Sequence, residues 1–151
     1  MTTAINEALA HVSRLWRGVV PQTRPASSYH RLDGDGDELE AARRADDGAD
    51  RGFFFEQGIS TSIQETGSGY EMLETSCVVR VVFSLERIGH GDIRAVMSDE
   101  MQRLRRVIDL ETSWPVGVLE VVTDEPGPED LDETSNLAAG AITLLLTTQE
   151  T

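Results

Sequence analysis

Residues 75–86 read TSCVVRVVFSLE, and this stretch decides the fold. Cys77, Val79, Val81, Phe83 and Leu85 alternate with Val78, Arg80, Val82 and Ser84. A period of two places the first set on one face of a β-strand, where branched and aromatic side chains fit a buried, pleated surface. Cys77 is the sole cysteine, so no internal disulfide can form. Inside this apolar run it reads as a small buried hydrophobe rather than a nucleophile.

On either side of the strand the period lengthens. After Gly89, His90 and Gly91, Asp92 is placed to cap a helix predicted over 93–110. Its apolar stripe is Ile93, Val96, Met97, Met101, Leu104, Val107 and Ile108. Glu100 falls inside that stripe by angle. It reads as snorkelling, or pairing with Arg103 on the next turn; the sharper alternative is a buried ion pair to Arg80. A first helix is predicted over 3–19, with Ile5, Ala8, Leu9, Val12, Trp16 and Val19 as its stripe and Pro21 beyond its end. Glu7 and His11 fall on the opposite face.

Further strands are predicted over 28–33, 51–65, 116–123 and 137–148. In RGFFFEQG, Phe53 and Phe55 share one face and Phe54 takes the other. Trp114, just before Pro115, reads as core or as a rim anchor, with core preferred. The order α-β-β-β-α-β-β describes one α+β domain over 1–151. Its sheet is mixed or antiparallel, of about five strands, flanked by two amphipathic helices.

The chain of 151 residues carries 27 acids against 13 basic residues, a net charge of −14. Every basic residue is arginine; lysine is absent. Acid excess with lysine depletion suits a protein that works in molar salt, where charge repulsion is screened over ~3 Å. It disfavours nucleic-acid binding through a basic surface. The acids concentrate in loops predicted at 33–51 and 124–135. The first contains DGDGDELE, residues 33–40. As a calcium loop with Asp33, Asp35 and Asp37 in the first three ligand positions, it places Glu38 where glycine is required and Arg44 where the bidentate glutamate belongs. A solvated, turn-rich loop is the better reading.

No apolar run approaches the ~20 residues of a membrane span. The N-terminal MTTAINEALAHVSRLW lacks the pattern of a signal peptide, so assembly in the cytoplasm is expected. His11, His30 and His90 share no metal-ligand spacing, and there is no CxxC, HExxH, GxSxG or P-loop pattern. His90 beside Asp92 reads as a turn next to a helix cap. The expectation is a protein that acts through its surfaces, with no enzymatic activity, cofactor or metal.

The leading helix INEALAHVSRLW, the strands RGFFFEQG and CVVRVVFSL, the helix IRAVMSDEMQRLRRVI and the closing strands VGVLEVV and AITLLLTTQE together resemble the tail terminator proteins of tailed phages. These are head–tail joining, or tail completion, proteins. The likeness covers nearly the whole chain as a pattern of elements; the acidic insert at 33–51 departs from it. It implies a structural virion protein, a hexameric ring that caps the tail tube, ends its polymerisation and joins it to the neck or connector protein. DNA would pass through the channel without sequence-specific binding. Candidate contact residues are Asp33, Asp35 and Asp37 in the acidic loop and Arg103, Arg105 and Arg106 on the second helix, the arginines meeting a neighbour's carboxylates in bidentate pairs. The alternatives are another neck component, a stopper or adaptor, or a small acidic α+β ligand-binding or enzymatic domain.

Overall fold

A computed structural model describes residues 3–21, 29–32, 51–56, 59–65, 71–84, 93–124, 130–132 and 137–150. The elements in chain order are α1 (Thr3–Arg17), β1 (His30–Arg31), β2 (Arg51–Phe55), β3 (Ile59–Glu65), β4 (Glu71–Ser84), α2 (Ile93–Leu110), β5 (Val118–Thr123), β6 (Asp130–Asp132) and β7 (Leu137–Glu150). The α+β class read from the sequence is the class observed.

The sheet is built on two long central strands. β4 and β7 pair antiparallel over fourteen residues each, from Glu71 opposite Glu150 to Ser84 opposite Leu137. The segment predicted as one strand over 51–65 is two. β2 and β3 follow one another along the same edge of β4, with Phe55 opposite Val79 and Ile59 opposite Ser76. β5 and β6 likewise share the outer edge of β7. β1 adds two residues in parallel to β2. Seven strand segments therefore occupy about five strand positions. β6 lies inside the stretch predicted as an acidic loop at 124–135. Its Asp-Leu-Asp sequence gives no strand signal by propensity, and the unpaired edge of β7 is what recruits it.

β4 and β5 both run antiparallel to β7, so β4–α2–β5 is a split β-α-β unit with β7 inserted between its strands. Such a crossover lays its helix on one face of the sheet. α1 lies on the same face, antiparallel to α2. Trp16 Nε1 donates to Leu104 O at 3.1 Å, and His11 reaches Glu111 at 3.0 Å. The predicted stripes are buried except at Val19 and Val107, which are half-buried at their margin. Ile5, Ala8, Leu9, Val12 and Trp16 of α1 meet Ile93, Met97, Met101, Leu104 and Ile108 of α2 over Cys77, Val79, Val81 and Phe83 of β4 and Ile142, Leu144 and Leu146 of β7. Trp16 packs edge-on against Phe53 with ring centroids 5.0 Å apart. Truncating so large a buried aromatic costs about 3–5 kcal/mol. Phe54 faces the other way, into a small cluster with Leu32, Val82 and Ala139.

Two glycines have steric roles. Gly117 has φ +92° at the third position of a turn closed by Val118 N–H donating to Pro115 O at 3.0 Å. That conformation disfavours a side chain. Gly140 on β7 lies under α2, and a Cβ there would come within 2.9 Å of Met101 Cε.

Candidate interaction groove and strand edge

The centre of α2 corrects one expectation. Glu100 pairs neither with Arg103 nor with Arg80. Its Oε2 accepts from Arg51 Nε at 2.8 Å, with the two side chains 2 % and 0 % exposed. Arg80 instead bonds Glu56 at 2.8 Å on the half-exposed side of the sheet. β2 explains the difference: Arg51 shares a face with Phe53, and its register partner on β4 is Phe83, so it points under α2. Tyr29 lies beside the pair. Its hydroxyl is buried and reaches hydrogen-bonding geometry with neither charge. Burial, then the Glu100 carboxylate, pushes the phenol well above its ordinary range. This cluster is sealed from solvent and belongs to the core.

The accessible feature lies where α1 ends against the second half of α2. Arg14, Leu15, Gly18, Val19 and Val20 form one wall of a groove of about 850 Å3, and Arg103, Arg106, Val107 and Leu110 form the other. The spacing 103, 106, 107, 110 is one helical stripe, beside the buried stripe rather than within it. Val20 and Leu110 are 72 % and 71 % exposed at its lips. Among the described residues three guanidinium groups line it and no carboxylate does. Arg103 Nη1 is buried and has no hydrogen-bond partner among the described residues.

Of the residues picked out in the sequence, Arg103 and Arg106 come together here. Arg105 does not. It lies on the flank of α2 that faces β5, donating from Nε to Thr123 Oγ1 and from Nη1 to Gln102 Oε1, both at 3.1 Å. Asp33, Asp35 and Asp37 lie outside the described residues, as do His90 and Asp92. Arg14, Val20 and Leu110 were not foreseen. The 14-to-18 and 106-to-110 spacings were visible, but only the antiparallel docking of the helices joins them.

A second exposed apolar surface follows β5. Val116 at the turn is 96 % exposed, Leu119 50 % and Val122 38 %. A bulge between Val118 and Glu120 turns Leu119 outward. Val121 is buried against the helices, whereas Glu120 and Val122 point to the opposite face. Glu120 and Asp124 are exposed, and residues 111–124 contain no basic residue. Among the described residues no strand pairs the outer edge of β5.

Between the two surfaces, His11 packs at a tilt against Trp114 with centroids 5.0 Å apart and bonds Glu111. Trp114 is therefore half-buried at the margin of the core. Backbone N–H groups of Ser113 and Thr112 also donate to Glu111. With His11, they hold its carboxyl below the ordinary value, Ser113 contributing most. Among the described residues no three His, Cys, Asp or Glu side chains gather as a metal site, and no helix is long and apolar enough to cross a membrane. No family model matches the chain, and no curated protein matches it in sequence.

Proposed function

We propose that this chain is a structural virion protein of the head–tail interface, a tail terminator that assembles as a hexameric ring. The ring caps the tail tube, ends its polymerisation and joins it to the neck protein, with DNA passing through the channel. The observation that carries this reading is the presence of two unlike exposed apolar surfaces on one small chain: the arginine-lined groove, and the acidic, apolar edge of β5. A closed ring needs heterologous contacts, in which one patch meets a different patch on the neighbour. The order of elements, with both helices on one face of the sheet, is in keeping with the terminator resemblance.

The charge fits assembly in concentrated salt, as in a virus of a halophilic host. Six copies at −14 each carry −84. Molar salt shortens the screening length from ~10 Å at 0.1 M to ~3 Å, which leaves short contacts and apolar burial to decide association. Incubating the chain with the tail-tube protein of the same virus tests the reading. Tubes capped at one end and arrested in length support it; tubes that grow unchanged contradict it.

The groove favours a second reading, a site for a small anionic ligand, because its volume falls within the ~300–1,000 Å3 of ligand pockets. That reading requires a monomer whose thermal stability rises with an organic anion, and a ring-forming chain indifferent to such anions excludes it.

A further inference from the structure

We propose that the groove between α1 and α2 is the seat of the β5 edge of a second copy of this chain. The assignment rests on the ring reading and names the contact that builds it.

The groove is chemically odd for this protein. On a chain of net charge −14, it gathers Arg14, Arg103 and Arg106, with no carboxylate among the described residues that line it. Arg103 Nη1 has no acceptor among the described residues, and a buried donor on a charged group left unbonded is unfavourable. An arriving carboxylate would supply the acceptor. Val20 and Leu110 offer apolar lips that water solvates poorly. The occupant should therefore be apolar and acidic together.

The β5 edge has that make-up. Leu119 and Val122 stand on the same exposed strip as Glu120, with Val116 at one end and Asp124 at the other. Apolar side chains would meet Val20 and Leu110, and the two acids would meet the guanidinium groups as bidentate pairs. The two surfaces lie on different parts of the fold. One is between the helices; the other is at the sheet edge, on the face turned away from them. A chain cannot satisfy its own groove this way, and contact between copies propagates from one to the next.

Cysteine trapping tests this directly. One chain carries Leu110→Cys and the other Leu119→Cys; the two are mixed and oxidised in ~2 M salt, a short-screening condition. Cys77 is buried in both, so the wild-type chain serves as the background control. The mixed pair is expected to give a disulfide-linked dimer at about ten-fold the yield of either chain alone, the ratio that one contact worth ~1.4 kcal/mol would produce. In parallel, Arg103→Glu with Arg106→Glu, and separately Glu120→Arg with Asp124→Arg, should each weaken association about ten-fold or more, and combining all four changes in one chain should restore it. Multimers that form in wild type without the Leu110–Leu119 cross-link, and with charge-reversed mass unchanged, overturn the groove assignment and leave the ring reading standing. A chain that remains monomeric in ~2 M salt, with and without tube protein, overturns both.

Discussion

Arg51, at the start of β2, reaches across the core to Glu100, in the middle of α2, and bonds it at 2.8 Å with both side chains out of water. The pair fastens the edge of the sheet to the helix that carries the groove. Removing one partner leaves a buried charge without its ion-pair mate, so Glu100→Leu or Arg51→Met alone should cost about 3–5 kcal/mol. The double variant should cost less than the sum of the single changes, because two apolar side chains leave neither buried charge facing an absent partner. Tyr29→Phe deletes a buried hydroxyl that lies against Arg51 and Glu100 without a well-formed hydrogen bond among the described residues, and should change stability less than either single charge removal. Urea denaturation of the four variants measures all of this. A double variant as damaging as the sum of the singles would contradict it.

The two constrained glycines should respond differently. Gly117→Ala forces a side chain to φ +92° and brings its Cβ to 3.3 Å from Gln149 O, so a loss of ~1–2 kcal/mol is expected. Gly140→Ala meets the flexible ends of Met101 and, more loosely, Met97, which can move aside, so a change within about 1 kcal/mol is expected. Equal losses at the two positions in a thermal melt would show that backbone strain is not what singles out Gly117.

Acid should act partly through Glu111. Its carboxyl is held below the ordinary 4.5 by the Ser113 and Thr112 amides and by His11. A depressed folded value contributes stability that is full above the unfolded value and is lost as pH falls through the folded one. Glu111→Gln should therefore lower stability at neutral pH and flatten the decline below pH 4.5. Parallel denaturation curves of variant and wild type across that range would show that Glu111 has no part in it.

Cys77 should be unreactive in the folded chain. Burial, with a further contribution from the Glu56 carboxylate, pushes its thiol up to about 11, so almost none is thiolate at neutral pH. A disulfide reagent should modify it only as fast as the protein opens, and immediately in denaturant. Rapid reaction of native protein would contradict the packing of β4 against the helices.

Periodicity carried most of the fold. The alternation from Cys77 to Phe83 and the stripes from Ile5 to Trp16 and from Ile93 to Ile108 are core, because each pattern matched one secondary-structure period without competition. Residues 51–65 were harder. Nothing in EQG announces where one strand stops and the next begins along β4. β6 carried no signal, since Asp130 and Asp132 belie a strand that forms only by edge pairing. At the site, Arg103, Arg105 and Arg106 were legible in the sequence as arginines on the second helix, indistinguishable by type. The separation of Arg105 depends on which flank of α2 faces Thr123. Arg51 was not singled out in the sequence, although its parity with Phe53 puts it on the core side, and its pairing with Glu100 needed the tertiary register.

Light scattering in ~2 M and in ~0.1 M salt tests the central claim of ring assembly most directly. The account predicts a mass six times that of the chain in concentrated salt, alone or once tail-tube protein is added, and a looser assembly as salt is lowered. A monomer or dimer at every salt concentration, indifferent to tube protein, would contradict it.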